Sequence, residues 1–456
     1  MNPLPTISSY APEAIRRLRD AGHDAWLVGG CVRDLLLGTA PKDYDVVTSA
    51  KPEAIEALFP HTIPVGKAFG IVTVVAPGTG ENVEIATYRA EGDYRDGRHP
   101  GEVRHAESAR EDVLRRDFTI NALLLDPATG ELADFTGGGA DLERKVVRAI
   151  GDPVRRFTED HLRMLRAIRF AARLGFSIDP ETFAAIRQLA PCISRISPER
   201  IRDELFRTFQ DSPRAGEALD LLRDSGLLAE VLPEVAALQG VEQPPEFHPE
   251  GDVYVHTRLM LDRLPPPGPG RSLALALSVL FHDIGKPPTA ALQPRPDGTS
   301  RWTFQNHADV GAEMARSILR RLRAPVALTD AVADIVGGHM RIASAPQMRR
   351  SKLRRLLASP TLDDELELHR LDCLSSHADL SIYHFLRAQR ETFQEEPPLP
   401  RPLVTGDHLL ARGYRPGPAL GRLLRRLHDL QLEENIADAE TLLARLPELE
   451  KEDPAP

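Results

Sequence analysis

The spacing of apolar positions changes character along the chain. Over roughly the first third, short apolar runs stand between turn residues: Ala25-Trp26-Leu27-Val28, Tyr44-Asp45-Val46-Val47, Ile71-Val72-Thr73-Val74-Val75 and Val83-Glu84-Ile85. Gly29-Gly30, Pro77-Gly78 and Asp96-Gly97 punctuate them, and runs bounded in this way predict strands. From Asp141 onward apolar residues recur at three- and four-residue spacing, as in Leu162, Leu165, Ile168 and Phe170, which is the helical period. The proline-rich stretch 265–269 predicts a loop between helices, 397–402 a linker to a last helical segment, and 450–456 a frayed end. No internal repeat is visible. The predicted fold class is α+β, a small mixed α/β head followed by an all-helical remainder.

Composition narrows this picture. A chain of 456 residues is too long for one ordinary core and predicts three or four domains or lobes. No apolar run is long enough to span a bilayer, and residues 1–10 lack the charged-then-apolar layout of a secretory signal. The cysteines, Cys31, Cys192 and Cys373, are too far apart to form a disulfide framework and fit a reducing compartment, so a cytoplasmic location and no membrane are expected. The net charge of −10 argues against a protein that coats long RNA. Arginine is nonetheless dense in 163–173, 349–355 and 412–426, which leaves room for a transient, salt-sensitive RNA contact.

Candidate chemistry begins at Val28-Gly29-Gly30-Cys31-Val32-Arg33-Asp34, followed by Lys42-Asp43-Tyr44-Asp45-Val46. A strand that enters two glycines and then a helix brings backbone N–H groups close to a bound anion. Asp43 and Asp45 stand two apart on a predicted strand, so both carboxylates point to one face, where they suit Mg²⁺ on a triphosphate. Glu84, on a neighbouring strand, is either a third carboxylate ligand or an exposed strand residue. Each element alone is commonplace, since an Asp-x-Asp is usually a surface feature and a Gly-Gly usually a turn; their order and proximity set them apart.

These motifs resemble the head of the tRNA nucleotidyltransferase/poly(A) polymerase family, bacterial class II. Three further segments are similar to family motifs in order. Arg115-Arg116-Asp117-Phe118-Thr119-Ile120-Asn121-Ala122 resembles the segment that binds ribose and triphosphate. The stretch from Glu159-Asp160-His161-Leu162-Arg163 through Arg166 and Arg169 to Phe170 resembles the helix that reads the incoming base. Asp93-Tyr94-Arg95-Asp96-Gly97-Arg98-His99-Pro100 resembles the mobile loop between them. One departure is His161, where family members often carry proline. The resemblance covers roughly 25–210. It implies nucleotide contacts from Gly29, Gly30, Arg33, Arg115, Arg116, Asp117, Asn121, Asp160, Arg163, Arg166 and Arg169, and catalysis at Asp43 and Asp45. Physically, Asp160 and Arg163 lie three apart on a predicted helix and share a face. A carboxylate and a planar donor fork can match the Watson–Crick edges of both C and A. The same pair is otherwise an exposed intrahelical ion pair. Attack of an RNA 3′-OH on the α-phosphorus of a nucleoside triphosphate, releasing pyrophosphate, needs no protein nucleophile.

A second constellation lies further on. Phe281-His282-Asp283-Ile284-Gly285-Lys286-Pro287 ends the very apolar stretch 273–281, with His256 upstream and His307, His339 and Asp372 downstream. The adjacent imidazole and carboxylate suit a divalent transition metal, and the set resembles the HD metal-dependent phosphohydrolase family over roughly 245–385. This implies one metal on His256, His282, Asp283 and Asp372, with His307 and His339 available for a second. The fold can also persist without metal binding or turnover. If active, the site would cleave phosphomonoesters or 2′,3′-cyclic phosphates at RNA ends.

The last segment, Val404-Thr405-Gly406-Asp407-His408-Leu409-Leu410 and 417–424, also resembles the family's end. It predicts a short helix and then an amphipathic one carrying Arg422, Arg425 and Arg426, placed either on phosphate or on a solvated face. The expected layout is a nucleotidyltransferase head (1–145), helical neck (146–225), HD domain (226–395) and C-terminal tail (396–456). Three functions are in play: addition of C, C and A to the tRNA 3′ end from CTP and ATP, or a CC-only or A-only version; a poly(A) polymerase; and an HD phosphohydrolase whose head only binds nucleotide. The acidic balance and the loop at 93–100 favour the full CCA reading. Oligomeric state is not legible.

Overall fold

The computed structural model describes residues 7, 9–63, 70–89, 106–246, 248–392 and 399–452. The chain forms two compact units, Met1–Ala236 and Ala237–Pro456.

The first unit is built on a seven-stranded sheet. Its strands are β1 (Ala25–Val28), β2 (Asp45–Thr48), β3 (Thr62–Ile63), β4 (Ile71–Val75), β5 (Asn82–Thr87), β6 (Leu124–Leu125) and β7 (Leu132–Ala133), in the order β3-β4-β5-β2-β1-β6-β7. Only β2 and β5 pair in parallel; the other neighbours are antiparallel. Central β1 and β2 are apolar almost throughout because both their faces are covered, whereas β5 alternates, burying Val83, Ile85 and Thr87 and exposing Asn82 and Glu84. The register Val28↔Asp45↔Glu84 aligns the end of β1 with the first residue of β2 and the outward carboxylate of β5. Val28, Val47, Tyr88, Val113, Leu124 and Ile150 form one core cluster beneath this sheet.

A short 3-10 turn, Thr119–Asn121, carries part of the candidate site and is held from behind by the helix Gly138–Arg144. The Asp134 carboxylate accepts the backbone N–H groups of Gly137, Gly138 and Gly139 at 2.9–3.0 Å, and Asp141 accepts the Thr119 hydroxyl at 2.8 Å. A Cβ on Gly138 would stand 2.2 Å from the Thr119 carbonyl oxygen, closer than any contact allows. Gly138→Ala should therefore push the turn outward and cost on the order of 3 kcal/mol, read as a lowered denaturation midpoint with nucleotide addition falling in parallel.

The helix Leu162–Leu174 buries Leu162, Leu165, Ile168 and Phe170, the positions its spacing marks, and packs on the helix Pro198–Asp211. The helical remainder expected after Asp141 has two exceptions. Strands β8 (Val146–Val147) and β9 (Ser177–Ile178) pair in parallel in the first unit. In the second unit an antiparallel hairpin, β10 (Ala290–Pro294) and β11 (Ser300–Phe304), turns through Asp297-Gly298, a pair suited to the positive φ of a tight turn.

The second unit is otherwise helical. The helices Val253–Asp262, Leu273–Phe281, His307–Arg321, Val326–Gly338 and Leu362–Ser375 surround one centre, and 265–269 is indeed loop between the first two. Its last part closes around Leu409, Leu427, Leu442 and Leu443, where the Arg426 guanidinium is turned inward onto the Leu449 carbonyl at 2.7 Å. Among the described residues no helix is long and apolar enough to cross a membrane.

Candidate active site and metal centre

The head site forms where β1 ends. Gly29 adopts φ +82°, a conformation that favours glycine, and Gly30 opens the helix Gly30–Leu36. A Cβ on Gly29 would stand 3.4 Å from Arg116 Nη1 and 3.6 Å from Asp45 Oδ2, so any side chain there would enter the space beside both groups. Strand β2 starts at Asp45. Asp43 sits in the exposed bend before it, so the two aspartates are not successive same-face positions of one strand as expected. Their link is electrostatic. Burial, then the negative charge of Asp43, pushes the Asp45 carboxyl up to about 6, with Glu84 adding to the shift and Arg116 opposing it. Glu84 is paired in register with Asp45 and, on an adjacent strand, shares its face. As a set, the three carboxylates do not close to within 4.8 Å of one another among the described residues.

Behind them runs a chain of buried polar contacts. Arg115 and Arg116 both grip the fully buried Asp112, at 2.7 and 3.1 Å. Asp117 accepts from Arg166 at 2.7 Å and from Asn121 at 3.3 Å; Asn121 accepts in turn from Arg33 at 2.6 Å. Arg166 also reaches Glu204 at 3.4 Å, and Glu204 takes Arg169 at 2.6 Å. Burial alone would raise the Asp117 carboxyl, but the Arg166 guanidinium outweighs it and holds the group down to about 2. Arg33 and Arg169 are buried in these pairings and lie against the Phe170 ring. Their side chains tie elements together.

The base-reading stretch is not one helix. Pro153–Glu159 ends, Asp160 takes an extended conformation, and Leu162–Leu174 begins beyond it. Asp160 and Arg163 therefore do not share a helical face, and they do not form the intrahelical ion pair considered above. The Asp160 carboxylate accepts the Leu162 N–H at 3.1 Å, which draws it into a capping role, and it pairs with Arg200 at 2.7 Å. Arg163 pairs with Glu159 at 2.7 Å and donates to the Arg156 carbonyl at 2.9 Å. His161 is buried at the helix entry, where proline suits a helix start, and its Nδ1 has no hydrogen-bond partner. The segment 93–100 lies outside the described residues.

The second constellation does converge. His282, His307 and His339 each place Nδ1 on a backbone carbonyl three residues upstream: Val279 at 2.9 Å, Phe304 at 2.8 Å and Val336 at 2.6 Å. Donation of Nδ1–H there leaves Nε2 as an electron pair aimed at the centre. The His307 and His339 Nε2 atoms lie 3.2 Å apart, and Asp283 is 3.0 Å from His282 Nε2 and 3.6 Å from His307 Nε2. His256 stands between Glu250, 2.6 Å from Nδ1, and Asp372, 3.1 Å from Nε2. Buried His256 Nε2, His282 Nε2 and Asp283 Oδ2 make no well-directed hydrogen bond but close ion-pair contacts, with Asp372, with each other and with Lys286, and the sets His256/His282/Asp283 and Asp283/His307/His339 each close to within 4.8 Å. Imidazole nitrogens and a carboxylate converging in this way fit a divalent metal. Burial opposes charge on His256, but Asp372 and Glu250 outweigh it and lift the ring to about 9. Burial, then neighbouring His282, lowers His339 to about 4.

Several partners escape sequence reasoning. Glu204, Arg200 and Glu250 act across 35 or more residues or through a neighbour's ring, and no motif marks them. Lys286 stands in the His-Asp motif and pairs with Asp283 at 2.7 Å and Gln243 at 2.6 Å.

The chain fits the models of the poly(A) polymerase head domain over 25–148, the probable RNA- and SrmB-binding site of polymerase A over 175–238, and the HD domain over 252–378. It is 46% identical over 223 residues to a CCA-adding enzyme of Geobacillus kaustophilus, and 43% over 231 residues to one of Lactobacillus johnsonii. Those alignments cover 49% and 51% of this chain and 54% and 57% of the relatives, so the chain spans about half the length of the curated relatives it matches. The crystal structure of the Bacillus stearothermophilus CCA-adding enzyme in complex with CTP superposes with a TM-score of 0.73 at 27% identity, covering 97% of this chain and 98% of that one. A Thermotoga maritima CCA-adding enzyme complexed with tRNA shares the fold, at TM-score 0.58 and 19% identity over 98% and 96%.

Proposed function

We propose that this chain, which matches the poly(A) polymerase head, its RNA-binding segment and an HD domain in that order, is a tRNA nucleotidyltransferase that adds C, C and A to the 3′ end of tRNA from CTP and ATP. The observation that carries the reading is the clustering of Asp45 and Arg116 in the space a Gly29 side chain would take, with Glu84 in register with Asp45 and Asp43 in the bend before it. The family implies divalent metal use. Asp43 and Asp45, with Glu84 as a third carboxylate, would hold Mg²⁺, which would supply the charge that favours triphosphate binding and departure of pyrophosphate. Gly29 and Gly30 let the backbone approach the phosphates, and Arg115 and Arg116, fixed by Asp112, supply cationic donors beside them. Asp117 and Asn121, locked by Arg166 and Arg33, bound the ribose. Asp160 and Arg163 present an acceptor and donors to the base, each steadied by its own partner, Arg200 and Glu159. Arg33, Arg166 and Arg169 serve as positioning residues. We keep the head, neck, HD and tail division at 145, 225 and 395, and a cytoplasmic location beside the tRNA substrate.

The converging imidazoles and carboxylates of the HD centre support a second activity, metal-dependent hydrolysis of phosphomonoesters or 2′,3′-cyclic phosphates at RNA ends, with a transition metal as the ion. The first reading is tested by pyrophosphate release with Mg²⁺ and a tRNA that ends before CCA. CTP is expected to react, with ATP following once both C residues are in place, and GTP and UTP at least roughly 100-fold more slowly. Equal rates with all four nucleotides would remove base selection from the account.

A further inference from the structure

The HD centre opens into a cavity of about 580 Å³, a volume that holds one nucleotide. Asp283, His307, His339 and Asp372 line one part of it, and the β10–β11 hairpin lines another with Trp302 and Phe304. The hairpin is inserted between Lys286 and His307, so both its ends are anchored on the centre. The Phe304 carbonyl lies 2.8 Å from His307 Nδ1, and Lys286 Nζ stands 5.6 Å from the Phe304 ring centroid. Trp302 is two residues earlier on the same strand and so shares the Phe304 face. Its indole N–H donates to Glu242 at 3.1 Å, which fixes the ring by its edge. The ring is half-buried and lines the cavity. Lys286, nine-tenths buried, stands between the two parts, 2.7 Å from Asp283 and beside the Phe304 ring.

We propose that Trp302 is a base-stacking subsite. The HD centre then takes the phosphate of a nucleotide whose base lies on the indole, and selects nucleotides over sugar phosphates of the same charge. A phosphate alone uses only the imidazole, carboxylate and Lys286 end of the cavity. An aromatic ring held by its edge at the other end has a flat apolar surface, and nucleobases are the flat rings that come attached to phosphates. The inference rests on the hydrolytic reading of this centre only for its turnover arm; the binding arm is independent of it.

The chain has two tryptophans, Trp26 and Trp302, so in a Trp26→Phe background the fluorescence reports Trp302 alone. AMP is expected to quench this signal in the full-length protein, whereas ribose 5-phosphate at the same concentration is not. With Mn²⁺ or Co²⁺ added, Trp302→Ala should reduce the preference for AMP over ribose 5-phosphate in kcat/KM by roughly 5- to 100-fold, mainly through KM, and Trp302→Phe should restore most of it. No quench by AMP would overturn the subsite, as would a preference ratio that Trp302→Ala leaves unchanged. Quench without hydrolysis of either compound keeps the subsite and removes the hydrolytic reading. Hydrolysis of both at equal rates without quench does the reverse.

Discussion

Asp45→Asn is expected to lower nucleotide addition by on the order of 10³-fold or more while leaving the protein folded. Asp45 opens β2 beside Gly29, with its Oδ2 3.6 Å from where a Gly29 Cβ would stand, and Arg116 is the opposing charge on its carboxylate. The stability side has a definite sign. In the unfolded chain an aspartate titrates near 4, and here burial and the neighbouring Asp43 and Glu84 hold the group up to about 6. A carboxyl raised on folding opposes folding once it ionises, so this cost sets in as pH rises through that interval and is fully present at pH 7. A neutral amide of the same shape relieves it. The thermal midpoint of the variant should therefore equal or exceed that of the parent at pH 7, and the difference should shrink at pH 4. Activity lost together with a lowered midpoint would instead mean that Asp45 is structural.

Asp283→Asn is expected to empty the HD centre and to leave nucleotide addition intact. Asp283 is almost fully buried, with Oδ2 3.0 Å from His282 Nε2 and 2.7 Å from Lys286 Nζ, and Oδ1 3.6 Å from His307 Nε2. Loss of its charge removes a member of both three-residue ligand sets and leaves the Lys286 ammonium without its counter-ion. Affinity for a divalent transition metal should fall by more than the roughly 10- to 100-fold that outer-shell changes cause. Measurement of bound metal after dialysis, beside both activities, checks this. Metal content equal to the parent's would contradict the assigned ligand set, and a parallel loss of nucleotide addition would contradict the independence of the two sites.

The sequence carried the strands whose pattern is local. The runs at 71–75 and 25–28 are apolar because the sheet buries them, and glycine marks the end of β1. The hairpin β10–β11 was missed because its residues are mostly exposed and carry no alternation; only Asp297-Gly298 signalled it. Motif order singles out Asp45, Asp117 and the His-Asp doublet, and the structure sets Asp45 in register with Glu84, Asp117 against Arg166, and His282 and Asp283 among buried imidazoles. The break at Asp160 was hidden because apolar spacing continues past it, while the carboxylate's bond to the Leu162 N–H sets a new helix start. Arg33, Arg166 and Arg169 read as nucleotide contacts because a guanidinium's partner is invisible in sequence. Glu204 lies 35 residues from Arg169, and Asp117 lies 49 from Arg166.

The central claim is tested most directly by extension of a tRNA that ends before CCA, with Mg²⁺, CTP and ATP, resolved at single-nucleotide length. The account predicts addition of three nucleotides followed by a stop, two with CTP alone, and one A on a tRNA that already ends in CC. Long A-tails on any RNA would move the chain to poly(A) polymerase chemistry. No extension at all would contradict the assignment of the head.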